Sequence, residues 1–202
     1  MIDFIKRFVV WLRRARYSRG FGVQSPWAYR FIRYVVNEHY PYYKYEHLAE
    51  QVYGIDKTTR KLCKFYFRLA NYQQAHTFVD CFPTSSCYKI YVDAGCQKAN
   101  YHRITEATSE EELIHLFSNI GEYSMVRVPL VANYRMVVDK ALNHLPSSSV
   151  LIIENIKRDR DAQKYWSELI SDSRTGVSFD LYYCGVLFLK NDMVKQSYIV
   201  NF

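Results

Sequence analysis

The residues able to do chemistry in this chain are mostly acids that close short apolar runs. Thr77-Phe78-Val79-Asp80 is one such run, and Cys81-Phe82-Pro83-Thr84-Ser85-Ser86 follows it. A nucleotide-binding α/β sheet places a glycine loop here, because glycine lets backbone N–H groups approach a ligand whose anionic groups settle on the next helix N-terminus. Phe82 obstructs that approach, and Pro83 contributes no donor. Glu106 closes a second run and Glu154-Asn155 a third. Glu154 and Asn155 offer oxygen atoms suited to a hard cation, but two side chains on one strand end need a third anchor, and no bound metal is expected. His76 and His102 flank the first two runs as candidate bases, each with a plain surface role as its alternative. The remaining histidines are scattered, and Gly-x-Ser-x-Gly, a phosphate loop ending in Gly-Lys-Ser and His-Glu-x-x-His are all missing from the sequence.

Short apolar runs alternating with helical stretches from residue 77 onward predict a mostly parallel sheet covered on both faces. Strands are expected at 78–81, 102–106, 125–128 and 150–155. Helices are expected from 85, from the capping box Ser109-Glu110-Glu111-Glu112, at 135–145 and at 159–171. Segments 177–182 and 185–189 read as an antiparallel hairpin, and 198–202 as a last extended piece. The preceding residues, 1–73, read as a helical region, and 74–202 as a Rossmann-like domain. In the helical region Ser25 caps a helix with Pro26 in its first turn. Residues 40–45 form an aromatic cluster, a packing hinge or one wall of a substrate pocket. Another helix at 56–73 carries Leu62, Phe65, Leu69 and Tyr72 along one side.

The chain has 202 residues and a net charge of +7, with nineteen tyrosines and twelve phenylalanines but only seven glycines, so aromatic rings must fill much of the core. The charge is uneven. In residues 1–19, Lys6, Arg7, Arg13, Arg14, Arg16 and Arg19 oppose only Asp3, a net of +5. Ile5, Phe8, Val9 and Leu12 make an apolar stripe on the same stretch, which reads as a helix from residue 2 to about residue 17. That helix either packs on its own domain or contacts an anionic membrane surface or nucleic acid. Five widely spaced cysteines predict reduced thiols, and the apolar runs at 8–12 and 150–153 are too short to span a bilayer. A cytoplasmic protein, peripheral to the membrane at most, is expected.

The succession of strand, loop, helix and acid-tipped strand, then a strand ending in Glu-Asn and a two-strand hairpin, resembles the class I S-adenosylmethionine-dependent methyltransferases. Gly22-Val23-Gln24-Ser25-Pro26-Trp27 and residues 150–202 are similar to an uncharacterised bacterial branch of them. By position, the resemblance implies that Asp80 closes the first strand, that Phe82, Thr84 and Ser86 stand where the family has glycines, and that Glu106 grips the cofactor ribose. Asp80 and Glu106 are 26 positions apart, room for a strand, a helix and a second strand. Glu106 equally suits a charge favouring the helix that follows. An alternative register through Tyr91-Val92-Asp93-Ala94-Gly95 leaves too little chain before Glu106, so the first is preferred. About twenty residues separate Glu106 from the strand at Met125, half the family's usual length, which implies a lost edge strand and a weaker hold on adenine. The expectation is a methyltransferase-like protein with a degenerate S-adenosylmethionine site and an unidentified methyl acceptor. If active, it would work mainly by aligning the acceptor, with base help from His102 or Glu154 and with Asn155 beside them. The alternative is a non-catalytic binding module working through its basic N-terminal helix.

Overall fold

The computed structural model describes residues 2–20, 22–189 and 193–202, and the side chains of these except residues 2–7, 18 and 19. Among these described residues seven strands form one sheet in the order β2-β1-β3-β4-β6-β5-β7. They are β1 (Thr77–Cys81), β2 (Asn100–Ile104), β3 (Met125–Pro129), β4 (Val150–Glu154), β5 (Ser178–Asp180), β6 (Cys184–Phe188) and β7 (Ser197–Ile199). Strands β2, β1, β3 and β4 run parallel, β6 pairs antiparallel with both β4 and β5, and β7 lies parallel to β5. The hairpin and the last extended piece therefore form as expected, and β2 is an outer strand as the shortened connection implied.

Alternation along the strands divides the sheet's side chains between two layers. Phe78, Met125, Val150, Ile152 and Val186 join one apolar cluster with α2 (Pro26–Phe31), α3 (Lys44–Gln51), α4 (Lys57–Gln73) and α5 (Cys87–Gly95). Val79, Val126, Val128, Leu151, Ile153 and Leu187 join the other with α6 (Glu110–Asn119), α7 (Tyr134–His144) and α8 (Arg160–Ser171). The capping box of α6 forms as its sequence requires, with Ser109 and Glu112 satisfying each other's backbone donors. Tyr91 to Gly95 lie inside α5, which settles the choice between the two registers. Gly95 is needed for contact: a Cβ there would sit 2.3 Å from the Phe67 carbonyl oxygen of α4. Of the four residues predicted to line one side of α4, Leu62, Phe65 and Leu69 are buried, whereas Tyr72 is partly exposed.

The helix α1 (Ile2–Arg14) forms, and a 3-10 turn, Ala15–Gly20, continues it. Its packing face corrects the expectation. Phe8, Val9, Trp11 and Leu12 are exposed, while Val10, Arg14 and Tyr17 turn inward. Arg14 anchors that inward side: its guanidinium donates to the Asp180 carboxylate at 2.8 Å and to the carbonyls of Asp180 and Val200 at 3.1 and 3.2 Å, which ties the end of the helix to the sheet. The side chains of Ile5, Lys6, Arg7 and Arg19 lie outside the described residues.

Candidate functional site

Strand β1 leads through α5 to β2 on one side, and β2 leads through α6 to β3 on the other side of β1, so the winding reverses between β1 and β3. In open α/β sheets ligands enter the crevice at such a reversal, beyond the carboxyl ends of the strands. Here Asp80 stands one residue from the end of β1, opposite Arg127 of β3, and Glu154 ends β4. All three belong to the face covered by α4 and α5.

Arg127 fills the space between the two acids. One terminal nitrogen donates to Asp80 Oδ1 at 2.7 Å and to the Cys81 carbonyl at 3.2 Å; the other donates to Glu154 Oε2 at 2.6 Å. The phenol of Tyr66, from α4, donates to Glu154 Oε1 at 2.5 Å, and the guanidinium carbon lies 4.3 Å from the ring centroid of Tyr88 on α5. Tyr101 on β2 donates to Asp80 Oδ2 at 3.5 Å. Asp80 is fully buried, with Arg127 5% and Glu154 4% exposed. Within this cluster Arg127 Nε is buried without a hydrogen-bond partner.

Burial lifts the Asp80 carboxyl above its usual range, against the pull of Arg127. Burial also opposes the charge on Arg127, but Glu154 and Asp80 outweigh it and raise the guanidinium above its ordinary value. The Tyr66 and Tyr88 phenols are raised by burial and by the Glu154 charge. The result is a cation clamped between two carboxylates under aromatic rings. Such a cluster is held by geometry, because the charges gave up water to enter it.

The other sequence candidates are not gathered around this cluster. Phe82 takes a left-handed backbone conformation, φ +50°, and its ring joins the apolar cluster beneath α6 and α7 on the opposite face. The Phe82 ring therefore lies on the face opposite the crevice side where Arg127 joins Asp80 and Glu154. Ser86 is exposed at the N-cap of α5 and makes no side-chain cap bond. Glu106 is exposed in a turn two residues past β2. His102 is exposed on β2 opposite Val79, and alternation turns it away from the Asp80 face. Asn155 leaves the sheet with φ +65° and is exposed, so the Glu-Asn pair separates at the strand tip. Sequence reasoning missed Arg127, Tyr66 and Tyr88. The available signal was one arginine in the apolar run Met125-Val126-Arg127-Val128, on the face-alternating position shared with buried neighbours.

The architecture is a Rossmann-like α/β fold of the kind found in solved methyltransferases. It is similar to the MycE methyltransferase from the mycinamycin biosynthetic pathway, solved with Mg and S-adenosylhomocysteine, with a TM-score of 0.53 and 9% identity over 74% of this chain. The match covers 50% of that protein, so this chain spans half its length. It is also similar to the S-adenosylhomocysteine-bound methyltransferase PaMTH1 of Podospora anserina, with a TM-score of 0.51 and 12% identity, covering 77% of this chain and 91% of that one. No protein-family profile matches the chain, and no curated protein matches it in sequence.

Proposed function

We propose that this chain is a methyltransferase-like protein whose cofactor crevice is closed by its own Arg127, within the bacterial branch that its two ends resemble. The observation that supports this is a guanidinium bonded to Asp80 and Glu154 at the point where the strand order reverses. S-adenosylmethionine is itself a cation, and a second positive charge gains little from acids already paired. The residues at this position do not fit the cofactor: the acids are neutralised, Phe82 and Pro83 stand in place of a donor loop, and Glu106 is unattached. No methyl acceptor or transfer step follows from such a site. Calorimetric titration with S-adenosylmethionine and S-adenosylhomocysteine tests this, with no heat expected at about millimolar ligand. Micromolar binding that Glu106→Ala abolishes would overturn the proposal and restore an enzyme.

A second role is favoured by the exposed side of α1. Phe8 and Trp11 stack at 6.3 Å between centroids, and Val9 and Leu12 extend the patch beside exposed Arg13 and Arg16. Apolar side chains flanked by arginines suit an anionic bilayer surface better than nucleic acid, because they have an acyl boundary to enter. Among the described residues no helix is long and apolar enough to cross a membrane, so the contact would lie in the interface plane.

A further inference from the structure

Helix α2 runs on into a turn of π-helix, Ile32–Val36, and the two present one face to the protein and another to solvent. Ala28, Phe31, Ile32, Val35 and Val36 are buried, whereas Tyr29, Arg30, Arg33 and Tyr34 are exposed. Residues three and four apart are neighbours on a helix, so the outer face is a strip of two arginines between two tyrosines. Tyr72 of α4 adds a third ring at its edge, packed on Phe31 at 5.7 Å between centroids. Burial raises the Tyr72 phenol, while Trp27 and Arg30 pull against it, which puts Arg30 near the ring. Tyr29, Tyr34 and Tyr72 are 42%, 61% and 40% exposed, so all three offer surface to a ligand.

Two features separate this strip from an ordinary solvated helix face. The first is the sign of its charge. From residue 4 to residue 37 the sequence contains no Asp or Glu, and α4, which packs against this segment, contains none either. The next acid, Glu38, is half-buried, and its Oε1 accepts from the Tyr40 N–H at 2.7 Å. Among the described residues no carboxylate forms an ion pair with Arg30 or Arg33. The second feature is a support for an aromatic ring. Gly20, in the 3-10 turn, has φ +76°, and a Cβ there would sit 2.9 Å from Cδ2 of Tyr29. Glycine thus lets the Tyr29 ring lie against the backbone as a platform. A nucleic-acid strand alternates the two chemistries that this strip receives, anions for the guanidinium groups and flat π faces for the rings. A bilayer surface fits less well, since no aliphatic side chain stands at the four exposed positions to enter an acyl boundary.

We propose that the outer face of residues 29–34, with Tyr72, binds single-stranded nucleic acid, Arg30 and Arg33 holding phosphates and the tyrosines stacking on bases. This surface shares no residue with the Asp80–Arg127–Glu154 cluster or with the apolar side of α1, so its test is independent of both. The probe is a fluorescein-labelled oligothymidylate of about 12 nucleotides, titrated by anisotropy against the full chain over a series of salt concentrations. A dissociation constant of about 100 μM or tighter is expected at low salt. Arg30→Gln and Arg33→Gln should each flatten the slope of log K against log salt by about 0.7, the share of one phosphate on a single strand. Tyr34→Ala should weaken binding about fivefold or more, the loss of one stacked base. Lys98→Gln removes an equal charge at an exposed position before β2 and should have the smallest effect of the four. All four side chains are exposed, so the circular dichroism spectra should match the parent's. No anisotropy change at about 0.2 mM protein would overturn the proposal, as would arginine variants no weaker than Lys98→Gln or a Tyr34→Ala protein that binds like the parent. A duplex of the same length, or polyglutamate, competing as well as the unlabelled single strand would overturn the assignment of the partner.

Discussion

Replacing Arg127 with methionine tests whether the centre of the fold is a paired-charge plug. The substitution keeps an unbranched chain of similar reach but removes the cation 2.7 Å from Asp80 and 2.6 Å from Glu154, both essentially without water contact. Breaking one buried pair costs about 3–5 kcal/mol, because the surviving charge is left uncompensated. Two carboxylates are left here, and the chain limits the loss by protonating one. For an ordinary carboxyl at pH 7 that costs about 4 kcal/mol. A net loss of about 3–5 kcal/mol in a domain of this size lowers the melting temperature by roughly 6–20 °C. Asp80 is the acid that takes the proton, since burial already lifts its pKa. A carboxyl raised in the folded state stabilises the fold at low pH and loses that contribution as pH rises through its folded value. The gap between Arg127→Met and the parent protein should therefore narrow from pH 8 to pH 5. The triple variant Asp80→Asn, Arg127→Met, Glu154→Gln removes every charge and should recover most of the loss. Calorimetric melting across that pH range reads all three. An Arg127→Met protein melting within about 2 °C of the parent at pH 7, with no pH dependence, would refute the electrostatic account.

Gly95→Ala should destabilise by about 1–3 kcal/mol in denaturant titration, although helix propensity alone favours alanine by about 1 kcal/mol; the Phe67 carbonyl leaves the methyl no room. Asp180 is held below its usual pKa: burial raises it, but Arg14 and Lys157 more than compensate. A depressed carboxyl contributes stability above its unfolded pKa and loses it as pH falls through the folded value, so Asp180→Asn should be less stable than the parent at pH 7, with the gap closing only as pH falls below about 4. Phe8→Ser with Trp11→Ser should abolish sedimentation with anionic vesicles and leave the melting temperature unchanged, since both side chains face outward.

The strands and most of the helices were legible because their period was written by residues that serve one element. Val150 to Glu154 is buried at every position and reads as a strand without help, and the capping box at Ser109 names its own helix start. The site was less legible because its meaning lies between elements. Asp80 and Glu154 stood out singly, but their relation depends on a third strand bringing Arg127 between them and on tyrosines from α4 and α5 closing over it. Helix α1 shows the same limit. Its stripe was read correctly as apolar, yet apolarity does not say which side faces the protein when one arginine finds Asp180 and two backbone carbonyls.

The bend at Phe82 has a consequence for the backbone. A phenylalanine held at φ +50° follows a path that glycine would follow without strain, so the turn out of β1 stores backbone strain in exchange for the ring's apolar contacts. Glycine at 82 would relax the turn at the expense of those contacts, and the tie between Arg127 and its two acids would stand on the other face unchanged.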